Sequence, residues 1–206
     1  ARVSRRGLLW VALVVGLVAA VASGAGSALA ESSSSGVRVL QAGLVDIADG
    51  FSCAVLDDGT PTCWGNDNNG TIGDDATFAG KARPTAVAVP AGRTARAIAV
   101  GDQDGCAILD DGRAVCWGVD ANGQLGDDQA DSTSPTPVPV ALPAGRTATA
   151  ITAGGFHACA ILDDGSARCW GANFNGQVGS GDPPGNLRVP ATAALPAGRT
   201  ATAITA

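Results

Sequence analysis

Six cysteines, three Asp-Asp-Gly triplets, one histidine and an Asp-Asn-Asn-Gly loop are the residues of this 206-residue sequence whose types could carry chemistry. Paired carboxylates suit general acid–base work, and a histidine beside a nucleophile suits covalent catalysis. Cysteines with histidine partners suit zinc, and an Asp/Asn-rich loop closed by glycine suits calcium. Spacing decides among these. Zinc sites want C-x-x-C knuckles or several histidines, whereas Cys53/Cys63, Cys106/Cys116 and Cys159/Cys169 follow C-x9-C and His157 is the single histidine. The calcium-loop pattern asks for an acid two positions before Asp67 and a Glu seven after Asn69. The sequence has Gly65 and Ala76 there, and the equivalent Asp120-Ala121-Asn122-Gly123 fails at Gly118. Asp57-Asp58, Asp110-Asp111 and Asp163-Asp164 each run into a glycine, the composition of a turn in which Asp bonds nearby backbone. His157 has Phe51 and Asp104 as counterparts, so it holds no repeated role, and no Gly-rich phosphate loop opens a helix. The expectation is no enzyme, no cofactor and no metal.

What positions these residues is a repeat. Cys53, Cys106 and Cys159 are 53 residues apart, as are Cys63, Cys116 and Cys169, and Trp64, Trp117 and Trp170. Ala91-Gly92-Arg93-Thr94 recurs at 144–147 and 197–200 without an insertion. Each unit reads as short strands. In the second, Ala97–Val100, Cys106–Leu109 and Arg113–Trp117 are apolar runs separated by Gly-containing turns, and the Pro-interrupted segment Pro135–Leu142 suits an edge strand. Four strands in about 50 residues is the signature of a propeller blade. The fold class expected is therefore all-β: β-propeller blades of four antiparallel strands, in three full units (44–96, 97–149, 150–202) with the start of a fourth at 203–206. Three blades leave open edges, so either further blades of a longer chain or self-assembly is expected to close the ring.

The hairpin can be read to the residue. Asp-Asp-Gly fits a three-residue loop with glycine in the left-handed position. Leu56 then faces Thr60 as a hydrogen-bonded pair, and alternation makes Val55·Pro61 and Cys53·Cys63 non-bonded pairs. Pro61 falls where its missing N–H costs nothing, and the cysteines fall where facing Cα atoms come within disulfide range. The same register predicts Cys106–Cys116 and Cys159–Cys169.

The first thirty residues are of another kind. Arg2, Arg5 and Arg6 precede an apolar run from Leu8 to Ala22, and Ala28-Leu29-Ala30 closes the segment. A basic start, apolar middle and A-x-A end predict a secretory signal peptide over 1–30, followed by a polar linker at 31–43. The competing reading is an uncleaved membrane anchor. Cleavage would remove three arginines and no acid, leaving the rest more acidic than the formal −6 of the whole sequence. With no run of Lys or Arg, nucleic-acid binding is not expected. An even set of cysteines in an exported chain reads as disulfides, and the expected location is secreted or cell surface.

The pattern Cys-Ala-x-Leu-x-Asp-Gly…Cys-Trp-Gly, followed by Gly123-Gln124-Leu125-Gly126 and Gly176-Gln177-Val178-Gly179, resembles the repeats of the regulator of chromosome condensation family. Gly70-Thr71-Ile72-Gly73 is a weaker match. The resemblance covers about 44–206 and implies blades of a propeller that usually closes with seven. It also implies guanine-nucleotide exchange, which the signal peptide and the uninterrupted period argue against. Secreted relatives, among them a bacterial β-lactamase inhibitor of this fold, are closer in kind and bind through loops at one end.

The function expected is a secreted binding scaffold whose loops recognise a protein or polysaccharide partner. The alternatives are inhibition of an extracellular hydrolase, an enzyme, or a purely structural repeat. The variable loops carry the candidate contacts, Phe78, Asp120, Asn122, Asn173, Phe174 and Asn175, because binding residues sit on loops held by a rigid scaffold. The tryptophans are expected between blades.

Overall fold

Each unit is organised by its Asp-Asp-Gly turn. In the computed structural model, which describes residues 45–48, 50–76, 79–129 and 132–206, Gly59 takes φ +83° and its N–H bonds to Leu56 O at 3.0 Å. Leu56 N–H bonds to Thr60 O at 2.9 Å, and Asp58 Oδ1 accepts from Thr60 N–H at 2.8 Å. The other two turns repeat this, with Asp111 accepting from Arg113 N–H and Asp164 from Ser166 N–H. Hydrogen bonds from Thr60 hold the Asp58 carboxyl below its ordinary value, and those from Ser166 do the same for Asp164. These carboxylates are turn acceptors.

Twelve strands follow among the described residues: β1 (Val45–Ile47), β2 (Phe51–Val55), β3 (Pro61–Gly65), β4 (Lys81–Ala86), β5 (Ala95–Val100), β6 (Asp104–Leu109), β7 (Ala114–Val119), β8 (Thr133–Pro139), β9 (Ala148–Ala153), β10 (His157–Leu162), β11 (Ala167–Ala172) and β12 (Asn186–Thr192). They form three antiparallel four-stranded meanders, β1–β4, β5–β8 and β9–β12, each joined strand to next strand. These are the four-stranded blades expected. The prolines at 84, 135, 137, 139 and 190 all fall in the outer strands β4, β8 and β12, where an absent N–H interrupts no further ladder. The expected signal peptide, linker and Phe78 lie outside the described residues.

The hairpin register is as the turn geometry requires: Val55 faces Pro61, Ala54 faces Thr62 and Cys53 faces Cys63. Disulfides join Cys53–Cys63, Cys106–Cys116 and Cys159–Cys169, with Cα atoms 4.1, 4.1 and 4.0 Å apart. No cysteine is left free. Each bridge closes a short loop and, by restricting the unfolded chain, should contribute about 2–3 kcal/mol. Replacing Cys106 and Cys116 together by serine is expected to lower stability by that amount. Urea denaturation of this pair variant against the oxidised protein checks it; an unchanged midpoint would show that the unfolded hairpin is already closed.

The core lies between blades. In β6 all six residues are buried because both faces are covered. Ala107 and Leu109 pack with Phe51, Ile72 and Trp117 toward the first blade, whereas Cys106 and Ile108 pack with Ala158, Leu162 and Trp170 toward the third. The tryptophans latch neighbouring blades. Trp117 Nε1–H bonds to Thr71 O at 2.9 Å and Trp170 Nε1–H to Gln124 O at 2.7 Å, both across a blade boundary. Each indole lies on a glycine of the preceding blade: a Cβ on Gly126 would stand 2.7 Å from Trp170 Cδ1. At the opposite end Arg93 reaches Asp110 and Asp111, and Arg146 reaches Asp163 and Asp164, at 3.1–3.4 Å. These pairs are solvated and contribute little individually.

Residues 194–206 repeat 141–153 letter for letter, yet 148–153 is strand β9 and 201–206 is not a strand. Up to Ala201 the two courses agree, since Ala148 N–H bonds to Gly112 O and Ala201 N–H to Gly165 O. Beyond it, β9 pairs with β10, whereas 201–206 pairs with no strand among the described residues. Strand state here is set by the pairing partner and not by the hexapeptide.

Candidate interaction face

Gly65 pairs with Phe51, Gly118 with Asp104 and Gly171 with His157, so the first turn and the last loop of each blade emerge at the same end. The face is therefore built from the turns β1–β2, β5–β6 and β9–β10 and the loops that follow β3, β7 and β11. Each of those loops is closed in one way. Asp67 Oδ1 accepts from Ile72 N–H at 3.1 Å, Asp120 Oδ1 from Leu125 N–H at 2.8 Å, and Asn173 Oδ1 from Val178 N–H at 3.1 Å. Asp or Asn serves equally, because only a side-chain oxygen is needed.

Two of the expected contact residues are turned inward in this way. Asp120 and Asn173 are each 1% exposed, their side chains turned in to hold their own loops. Asn122 is half-buried and Asn175 exposed, each with its backbone N–H tied to the following glutamine. Phe174 is 57% exposed at the loop tip, free to meet a partner. Phe156, 51% exposed on the β9–β10 turn of the same blade end, was not among the expected contacts. Its signal was an aromatic residue between two glycines and His157, where the other units have Gly50 and Gln103.

His157 stands half-buried at the start of β10 against Gly154, and burial lowers its pKa. Among the described residues its ring makes no hydrogen bond to a carboxylate or hydroxyl. Its counterpart Asp104 is fully buried, and neither carboxyl oxygen has a hydrogen-bond partner among the described residues. Burial, and then the negative charges of Asp102 and Asp120, push its carboxyl well above the ordinary Asp value. No group of three or more His, Cys, Asp or Glu among the described residues is placed to hold a metal ion.

Four-stranded meanders stacked face to face, with loops gathered at one end, define a run of β-propeller blades. Residues 95–124 and 148–177, and in a second form 111–161, match the regulator of chromosome condensation (RCC1) repeat. The chain is similar to Protein pim1 of Schizosaccharomyces pombe, 29% identical over 119 residues, covering 52% of this chain and 22% of that protein. It is also similar to the ultraviolet-B receptor UVR8 of Arabidopsis thaliana, 27% identical, covering 70% of this chain and 32% of that one. Among solved structures, Prp20p of Saccharomyces cerevisiae superposes with a TM-score of 0.67 at 21% identity, over 79% of this chain and 40% of Prp20p. Human WBSCR16 does so with a TM-score of 0.66 at 19% identity, over 76% and 39%. The chain thus spans about a fifth to a third of these curated relatives, and the structures show the same fold.

Proposed function

We propose that this chain is an exported propeller segment that acts as an interaction scaffold, gripping a protein partner through the loop end that carries Phe156 and Phe174. The observation that carries the reading is two large aromatic side chains, each more than half exposed, on rigidly closed loops of one blade. Aromatic side chains held on a stiff scaffold are the usual anchors of protein interfaces. Protein binding is also in keeping with the relatives: Kap60 is bound to yeast RCC1, and Prp20p has binding properties toward Gsp1p and histones. Export is supported by the pairing of all six cysteines, which belongs to an oxidising compartment, and by the basic, apolar, A-x-A sequence of 1–30. No helix among the described residues is long and apolar enough to cross a membrane.

The test is site-specific photo-cross-linking in the producing culture. A benzophenone amino acid at position 174 is expected to give one dominant protein adduct, and the same group at position 195, on the opposite end, none. Phe174→Ala should leave the denaturation midpoint within about 0.5 kcal/mol of the parent, since an exposed side chain packs little. It should weaken capture of the partner identified from that adduct at least about tenfold. Equal adducts at both ends would mean that the aromatic loop end is not the interface.

A further inference from the structure

The internal repeat offers a comparison of like with like: the first and second blades meet at a cleft, and the second and third meet at its equivalent. At the first cleft the β3–β4 loop supplies Asn66, Asn68 and Asn69, and the β5–β6 turn supplies Asp102 and Gln103, around about 330 Å³. Phe51 and Thr71 complete the lining. At the second cleft the positions of Asn66, Asn68, Asp102 and Gln103 are held by Val119, Ala121, Gly155 and Phe156. A scaffold that otherwise repeats without insertion has changed four neighbouring side chains from polar to non-polar between one cleft and the next.

The polar set is organised. Asn66 Oδ1 accepts from Asn68 N–H at 2.9 Å, and Thr71 Oγ1–H donates to Asn66 O at 2.5 Å, which fixes the loop. Asn69 Nδ2–H donates to Gln103 Oε1 at 3.1 Å, which ties the two blades across the cleft. Asn66 Nδ2, the Asn68 side-chain amide, Asn69 Oδ1 and Gln103 Nε2 are left with hydrogen-bonding capacity on residues that line the cleft. We propose that this cleft binds a neutral polyhydroxylated ligand, a short stretch of glycan of roughly one or two sugar residues. Amide groups donate and accept in equal measure, as hydroxyls do, so several amides around one cleft match a sugar's rim of O–H groups. Among the described residues no Lys or Arg lines the cleft, so none of them compensates an anion. Among the described residues the one lining carboxylate, Asp102, is exposed on the rim, where water screens its pull on a cation and leaves it as a hydroxyl acceptor. The site lies one cleft away from Phe156 and is independent of the aromatic contact at Phe174.

The experiment titrates cellobiose, maltose and N,N′-diacetylchitobiose separately into the intact, oxidised, 15N-labelled protein. The readout is the set of side-chain amide resonances of Asn66, Asn68, Asn69 and Gln103. A saturable shift of these resonances with at least one disaccharide is expected at up to tens of millimolar ligand. In the double variant Asn66→Val with Asn68→Ala, which carries the residues the second blade already accommodates, affinity should fall at least about tenfold. The proposal is overturned if none of the three sugars shifts these signals, if the double variant binds equally well, or if inorganic phosphate or tetramethylammonium shifts them more strongly than any sugar. The double variant should still give the Phe174 adduct, so loss of sugar binding and failure of the protein-partner reading are separately visible.

Discussion

Trp170→Ala is expected to destabilise the protein by about 3–5 kcal/mol, the usual cost of deleting a fully buried large aromatic side chain. Trp170 is 0% exposed, and its indole fills the space between the second and third blades. Its N–H also satisfies the buried carbonyl of Gln124, so truncation leaves both a cavity and an unpaired acceptor. Trp64, at the same position of the first blade, is only half-buried, and Trp64→Ala should cost well under half as much. Gly126→Ala attacks the contact from the other side: the added methyl would press on the indole at a residue with φ +66°. It should destabilise through crowding and backbone strain, by about 1–3 kcal/mol. Urea denaturation of the three variants under oxidising conditions reads all of this. Equal costs at Trp64 and Trp170 would place the stabilising role of the tryptophan inside its own blade, contrary to the latch.

The reach of the sequence follows from how local each constraint is. The turn and hairpin were legible to the residue because Asp-Asp-Gly sets a turn type, the turn sets the register, and the register brings Cys53 to Cys63 without help from elsewhere in the chain. Outer strands were legible from proline for the same reason. The loops were not, because the feature that distinguishes them is which way a side chain turns. Asp120 and Asn173 are polar residues in variable loops, the ordinary description of a surface contact, yet each is consumed by an N–H five residues later. That bond is visible in sequence only as an Asp or Asn five residues before a buried apolar residue, a signal seen once all three loops are compared. The cleft amides were harder still. Asn66 and Gln103 are 37 residues apart and meet because two blades pack, a fact the period implies but does not locate.

Asp104→Asn is expected to stabilise the protein at neutral pH, on the order of 1–3 kcal/mol, by removing an acid whose ionisation the fold disfavours. The sign follows from linkage. In the folded protein the Asp104 carboxyl holds its proton to well above the ordinary value, because burial and the charges of Asp102 and Asp120 disfavour ionisation. The unfolded chain releases that proton near 3.8. Below that pH both states are protonated and the group subtracts nothing from stability. As pH rises through 3.8 toward the raised folded value, only the unfolded chain ionises, so stability falls, and above the folded value the penalty is complete. Asparagine does not titrate, and the gap between variant and parent should therefore be small near pH 3.5 and widen to its maximum on the neutral side. Urea midpoints at a series of pH values isolate this one residue, since every other titrating group is common to both proteins. A gap that is constant with pH would mean that Asp104 ionises as freely in the fold as out of it. The sister blades place Phe51 and His157 at this position, and Phe51 is buried there without a charge to desolvate. The second blade thus carries an acid that the scaffold does not require, beside Gly101, on which a Cβ would stand 2.6 Å from Asp104 Oδ1.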